Sequence, residues 1–419
     1  MLEDYYIDKI LNIGEKKDFE VDIFISYSEN LTCELDGDSL DSIQQSNNFG
    51  IGVRVIKDNK VGFAYSTKPG EEIIYKAMEN LVLDEYTTIP EPTKDLPNPK
   101  GIFHKDLLNI EEEEIIEDLN AMKNILIEEE ITVTGGSIDK VYSQNRIVNS
   151  KGLDIEEKFT YYSASISGIK NGETAYDYLT RTHVFDVKQL SNNVVELLSL
   201  PKSTKIQYEG NILLTPRVLG SLLTYTLLPS FNSENIQRNR SLLKGKLGEE
   251  VFGEHITIVD DGTLNKGLYS SKVDGEGTPR EKITLVEKGI LKNYLYDIKR
   301  ANIENKKSTG HGVRDYNTLP TISPSNIIIE PNDKLDNYNE YLCVNGLIGC
   351  HTSNPITGNF SVEIFNSYIV KDGEKIPIKK GMLSGNMFEV LKGALPMDDV
   401  DQRGRYLSPS IMMEGKIIL

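Results

Sequence analysis

Five histidines and three cysteines are the residues of this chain best suited to hold a transition metal, and their spacing argues against it. His104, His183, His255, His311 and His351 include no pair at i, i+4, the separation that sets two imidazoles on one helix face. A hydrolytic zinc site needs three protein ligands and an open position. The densest candidates are Cys350-His351 and the His311 of Thr309-Gly310-His311-Gly312. Neighbours on a strand point to opposite faces, so Cys350 and His351 do not converge on one ion. Nucleophilic catalysis fares no better. No Gly-x-Ser-x-Gly elbow occurs, and Ser384-Gly385-Asn386 sits in a strand-turn setting without a partner base. Gly50-Ile51-Gly52 and Gly275-Glu276-Gly277 do not continue as phosphate-binding loops and read as tight turns or points of close backbone approach.

Two loops carry more information. They are Asp274-Gly275-Glu276-Gly277-Thr278-Pro279 and, just after His351, Asn354-Pro355-Ile356-Thr357-Gly358-Asn359-Phe360-Ser361. Pro fixes φ, Gly permits positive φ, and Asn and Thr side chains bond local backbone. Elaborate loops on a rigid sheet are where binding residues tend to sit. Asp274, Glu276, Thr278, His351, Asn354 and Thr357 are therefore the candidate binding residues. The same loops could also do no more than close turns.

The elements that must position them follow from periodicity. A first helix is expected from Leu2 to Ile13, with Gly14 as its stop. Val21, Ile23, Ile25 and Tyr27 alternate as a half-buried strand. Residues 50–66 read as a hairpin turning at Asp58-Asn59. Helices follow at Ile73 to Leu81 and around Ile115, Leu119, Met122 and Leu126, with a proline-rich extended connector from Ile89 to Gly101 between them. Glu111 to Glu114 form an acidic first turn, favoured by the helix dipole, rather than a metal cluster. Strands recur from Ile131 to His183, and a helix carries Val187, Leu190, Val194 and Leu197. The pattern changes between Lys202 and Gly210. The strand Ile212-Leu213-Leu214 opens the second half, followed by a helix capped at Thr215 with Pro216 in its first turn. Short strands broken by glycines then run almost to the end, with Val259-Asp260-Asp261-Gly262, Val286-Glu287-Lys288-Gly289 and Val370-Lys371-Asp372-Gly373 as turns. The expected class is α+β: an N-terminal α/β domain (a sheet flanked by helices) over 1–205, and a C-terminal β-barrel-like domain over 206–419.

A formal charge of -18 repels a phosphate backbone and disfavours direct nucleic-acid binding. No apolar stretch approaches the ~20 residues of a membrane span, and the acidic start Met1-Leu2-Glu3-Asp4 is unlike a secretory signal. Cys33, Cys343 and Cys350 are odd in number and lack CxxC spacing, so a reduced, cytoplasmic setting is expected.

Read in order, the longer motifs resemble the TldD/PmbA family. They are Phe49-Gly50-Ile51-Gly52-Val53-Arg54-Val55 with Val61-Gly62-Phe63-Ala64-Tyr65, Asn149-Ser150-Lys151-Gly152, Asp260-Asp261-Gly262-Thr263-Leu264, the two loops above, the second taken from His351-Thr352-Ser353 onward, and Gly381-Met382-Leu383-Ser384-Gly385-Asn386. The resemblance implies a metalloprotease system of two related subunits that processes unfolded or peptide substrates held extended in a channel. It also implies a historical link to DNA gyrase modulation. In such a pair the TldD-type subunit carries a His-Glu-x-x-x-His helix and a late Cys as zinc ligands, and the PmbA-type (TldE-like) subunit lacks them.

Carried over residue by residue, the metal helix falls after Thr215-Pro216. Thr224 stands at the first His, Tyr225 at the Glu and Pro229 at the second His, and no cysteine follows Cys350. None of the three can take the role it replaces, and Pro229 should end or kink the helix. The resemblance therefore implies a PmbA/TldE-like chain that holds no metal itself, is not catalytic alone, and lines the channel with the loop residues named above. Zinc would reside in a TldD-like partner. The expected assembly is a heterodimer with that partner, or a homodimer through an apolar patch in its absence. A stand-alone peptidase using His311, Cys350 and His351, and a non-proteolytic regulator linked to gyrase, are the competing readings.

Overall fold

The computed structural model describes residues 4–201 and 203–418. Met1 to Glu3, Lys202 and Leu419 lie outside the described residues, and with them the expected helix start at Leu2. Helix α1 (Asp4–Lys16) buries Ile7, Ile10 and Gly14. Gly14 is thus not a stop. A Cβ there would meet Val21 Cγ2 at 2.2 Å, so the missing side chain lets the helix lie against the strand that follows.

Strands β1 (Glu20–Asp36), β2 (Ser39–Lys57) and β3 (Lys60–Ser66) precede α2 (Ile73–Glu79) and the short β4 (Val82–Leu83). After the proline-rich connector come α3 (Lys105–Leu108), α4 (Glu112–Glu128), β5 (Thr132–Asn149), β6 (Asp154–Lys170), β7 (Glu173–Arg181) and α5 (Lys188–Leu198). The seven strands form one antiparallel sheet in the order β4-β3-β2-β1-β5-β6-β7. Between β2 and β3, Asp58 and Asn59 both take positive φ, as a two-residue hairpin turn requires.

Alternation decides what each face meets. Val21, Ile23 and Ile25 point to the face covered by α1 and α2, with Val53 and Val55 beside them. Farther along the same face Cys33 and Leu35 join Tyr162, Ala164 and Ile166 beneath α4 and α5. The interleaved residues Asp22, Phe24, Arg54 and Ile147 face the other way, toward the C-terminal half. Phe24, Ile147 and Leu153 pack there on Val273, with Tyr316 alongside. Gly50 and Gly52 are points of close approach: a Cβ on Gly52 would sit 2.2 Å from the Tyr316 carbonyl oxygen.

The C-terminal half opens with β8 (Tyr208–Leu214) and α6 (Pro216–Thr226). Its larger, nine-stranded sheet curls as a half-barrel, with the strand Ile411–Ile418 seated between β8 and Gly381–Asn386. A six-stranded sheet contains Ile258–Asp261 and Ile327–Ile329. The main core gathers Ile212 and Leu214 of β8, Val218, Leu219, Leu222 and Leu223 of α6, and Phe231. The class is α+β, as the strand and helix patterns predict.

The expected turns at 286–289 and 370–373 are hairpin turns with positive φ at Lys288, Gly289, Asp372 and Gly373. Residues 259–262 differ: Ile258–Asp261 is a strand buried along its length. Asp260 can sit inside because it accepts from the Ser325 backbone N–H at 2.9 Å and hydroxyl, and pairs with His311 Nε2 at 3.1 Å.

Candidate functional site

The loop after Val273 is closed by its own first carboxylate. Asp274 Oδ1 accepts from the N–H groups of Glu276 at 2.9 Å and Thr278 at 3.0 Å, and Oδ2 accepts from Gly312 at 2.8 Å. Gly277 takes φ +90°, and a Cβ on Gly275 would lie 2.9 Å from backbone atoms of Gly312 and Arg314. Glu276 points away from this ring of bonds. Its Oε2 accepts from the Ile298 N–H at 2.9 Å, and its Oε1 pairs with Arg54 Nη1 at 3.3 Å. Arg54 in turn holds Asp22 at 2.9 Å, and Asp22 holds Arg314 at 2.8 Å. The row Glu276-Arg54-Asp22-Arg314 therefore ties β1 and β2 to the C-terminal loops, with every side chain at most 2% exposed. Burial acts to lower the Arg54 pKa, but Asp22 and Glu276 outweigh it and hold the guanidinium above its ordinary value.

Burial, then the neighbouring Glu276 charge, pushes Asp274 up to about 7. Burial and Glu276 likewise push Asp297 up to about 6. At these two sites the folded state thus binds more protons than the unfolded chain between about pH 4 and 7. Their contribution is present in full below the ordinary carboxylate pKa and is lost as pH rises through the folded values. Relative to that of Asp274→Asn, the urea midpoint of the protein is expected to decline as pH rises from 5 to 8. Equal slopes in equilibrium melts across that range would show that Asp274 does not titrate there.

Asp274 borders a cavity of about 240 Å³ between the two halves. One wall is the helix-free face of the N-terminal sheet, with Phe24, Asn145, Glu157 and Tyr161; the other carries Ser271, Arg280 and Arg314. A second cavity of about 330 Å³ runs along the end of α6, bounded by Thr224, Pro229 and Tyr406. Ser323, Pro324 and Arg405 line both cavities and so form their common wall.

Helix α6 carries the positions at which the resemblance sought a metal. Thr215 stands at the N-cap position, but its hydroxyl donates to the Val344 carbonyl at 3.1 Å rather than capping the helix. The α-helix ends at Thr226 and gives way to a 3-10 turn, Leu228–Phe231, with Pro229 at its start. This is the interruption expected of that proline. Thr224 Oγ1 bonds the Gly220 carbonyl at 2.9 Å and the Tyr406 hydroxyl. Tyr225 is exposed, and Pro229 offers only its carbonyl, which accepts from Asn235 Nδ2 at 2.7 Å. These donors do not fit a zinc ion. Among the described residues, no group of three or more His, Cys, Asp or Glu is arranged to hold a metal.

The two candidate loops are not brought together at one cavity. Asp274 reaches the cavity wall, whereas Glu276 is buried in the ion row. The Thr278 hydroxyl is enclosed without a hydrogen-bond partner among the described residues. His351 lies in a 3-10 turn, Cys350–Thr352, rather than on a strand, and is exposed while Cys350 is buried. Asn354 Oδ1 accepts from the Ile356 and Thr357 N–H groups at 2.9 and 3.0 Å. Thr357, in turn, accepts through its carbonyl from Asn386 Nδ2 at 2.7 Å. His351, Asn354 and Thr357 line neither of the two cavities. His311 is fully buried, bonded to Thr309 at 2.9 Å and paired with Asp260.

Sequence reasoning missed Asp22, Glu157, Arg280, Arg314 and Arg405. Asp22 and Arg54 each interrupt an apolar pair, Val21/Ile23 and Val53/Val55, which is also how a solvent-facing residue looks. A signal was present only in their pairing, since Asp22 and Arg54 stand opposite each other in the β1-β2 register.

With this geometry in hand, known proteins are informative. Residues 21–84, 105–199 and 207–418 match, in order, domain 1, the central domain and the C-terminal domain of the PmbA/TldA metallopeptidases. The chain is 52% identical to an uncharacterized protein of Methanocaldococcus jannaschii over 98% of this chain and 99% of that one. A metalloprotease of the same organism is 26% identical, over 92% and 90%. The crystal structure of TldE from Thermococcus kodakarensis superposes with a TM-score of 0.90 at 25% identity, covering 99% of this chain and all of that one. Three matched domains and a relative at this identity settle kinship: the chain belongs to the TldD/PmbA metalloprotease family.

Proposed function

We propose that this chain is the metal-free, PmbA/TldE-like subunit of a two-subunit peptidase and acts with a TldD-like partner that carries the zinc. The observation that carries this reading is the end of α6. There Thr224 is tied to Gly220 and Tyr406, Tyr225 faces out, and Pro229 begins a 3-10 turn. The adjoining cavities supply what a non-catalytic subunit would contribute: a wall along which an extended peptide can be held. In this reading Asp274 borders the channel directly. Glu276 and Thr278 shape the loop from within, and His351, Asn354 and Thr357 contribute from a separate turn toward the partner. A cytoplasmic setting accompanies the proposal, supported by three buried free cysteines.

The test is cleavage of an unstructured peptide by this chain, by a TldD-like subunit, and by the two mixed, each with and without a chelator. Cleavage in the mixture alone, abolished by chelation, is the expected result. Chelator-insensitive cleavage by this chain alone would overturn the proposal.

A further inference from the structure

The cavity beside Asp274 contains two arginines that form no direct ion pair among the described residues, although Asp274, Asp260 and Glu157 lie near enough to Arg280 to act on its charge. Arg280 is 8% exposed. Its Nε donates to Ser271 Oγ at 3.2 Å and its Nη1 to the Gly310 carbonyl, while Nη2 has no protein partner among the described residues. Arg405 donates through Nη1 to Ser323 Oγ at 3.2 Å and the Pro324 carbonyl at 2.7 Å, and lies 4.3 Å from the Tyr269 ring centroid. Neither guanidinium forms an ion pair within 4.0 Å among the described residues, and both line the same cavity.

The surrounding carboxylates are already engaged. Asp274 accepts three backbone N–H groups, and Asp260 is held by Ser325 and His311. Glu157 accepts from the Lys272 N–H at 2.7 Å and the Val273 N–H at 3.5 Å. Arg314, the third arginine of the wall, is spent on Asp22. Burial raises the pKa of Glu157, against the Lys272 and Val273 N–H groups and the Arg280 charge, which act to lower it. The unused Arg280 Nη2 is not among the enclosed polar atoms and so stays open to the cavity, where an anion could accept from it.

We infer that this cavity receives the C-terminal carboxylate of an extended peptide, clamped between Arg280 and Arg405 with the Ser271 and Ser323 hydroxyls beside it. The volume of about 240 Å³ lies below the ~300 Å³ lower end of pockets for drug-sized ligands, and suits a chain end rather than a folded element. Arg405 also borders the cavity along α6, so a peptide anchored by its carboxylate would run past Thr224 and Pro229. The identity of the ligand rests on the peptide-processing reading, whereas the anion site itself does not.

Calorimetric titration of the intact chain alone tests this, using acetyl-trialanine with a free carboxylate, the same peptide as its C-terminal amide, and inorganic phosphate. The free acid should bind at least about tenfold more tightly than the amide, the loss expected when a charge-assisted contact is removed. Arg405→Gln should erase most of that preference in a protein that still melts cooperatively, and Arg405→Lys should retain part of it. Equal binding of acid and amide, binding of phosphate alone, or no binding of any of the three would overturn the inference. The titration requires neither partner nor zinc. A negative result therefore leaves the two-subunit proposal standing, and a failed mixing assay leaves the carboxylate site standing.

Discussion

Arg54→Met is expected to lower the unfolding free energy by about 3–5 kcal/mol, the cost of removing one partner from a buried charge network. Methionine approximates the length of the side chain but offers no donor. Glu276 would lose its cation, and Asp22 would keep only Arg314. Because the row is at most 2% exposed, water cannot take over the missing contacts. Urea denaturation at pH 7 checks the magnitude. The double variant with Glu276→Gln checks the cause: neutralising the stranded carboxylate should recover part of the loss, since the two sites share one network. A cost below about 1 kcal/mol would mean that the row contributes little to holding the halves together.

Gly52→Ala should cost about 3 kcal/mol by a different route, the upper range for an overpacked site. The added Cβ would lie 2.2 Å from the Tyr316 carbonyl oxygen and 3.1 Å from its carbonyl carbon. Those are backbone atoms, which cannot rotate aside as a side-chain tip can, so the segment around Tyr316 must lift off the sheet. Hydrogen exchange distinguishes this from general weakening. Amides near Gly312 and Tyr316 should exchange faster in the variant, whereas those of α4, which packs on the opposite face, should be unchanged. Uniform acceleration across the protein would contradict a local docking effect.

What the sequence disclosed depended on how many residues share a signal. Helices α2, α4 and α5 were legible because several apolar residues repeat at helical spacing, and the turn at Asp58-Asn59 because few residues tolerate positive φ. The reach of β1 from Tyr27 to Asp36 was not. Ser28, Glu29, Asn30 and Thr32 show no apolar alternation, and pairing with β2 and β5 alone keeps them extended. Gly14 and Asp260 misled for a common reason. Glycine and aspartate are turn residues by local chemistry, but here one admits a close neighbour and the other faces a buried histidine and accepts from a buried serine. The substitutions at Thr224, Tyr225 and Pro229 were visible through resemblance to a family, because absent ligands leave no pattern of their own. The arginines of the cavity were invisible, since nothing in a sequence says which guanidinium lacks a carboxylate.

The position of the strand Ile411–Ile418 has a consequence for how the chain comes into being. The N-terminal sheet is assembled largely from neighbours, β1 with β2 and β5 with β6, and all of its strands have been synthesised once residue 181 has emerged. The larger C-terminal sheet is different, because β8 meets its partner across half the chain, with Tyr208 opposite Ile417. Until that strand has emerged from the ribosome, β8 and the strand Gly381–Asn386 lack the element that joins them, and the backbone groups along their facing edges stay unpaired. Contacts so distant in sequence close slowly, and a half-finished sheet of this kind is the species most exposed to aggregation. Folding should therefore proceed in two stages, with the N-terminal sheet standing complete while the C-terminal half waits for its final strand.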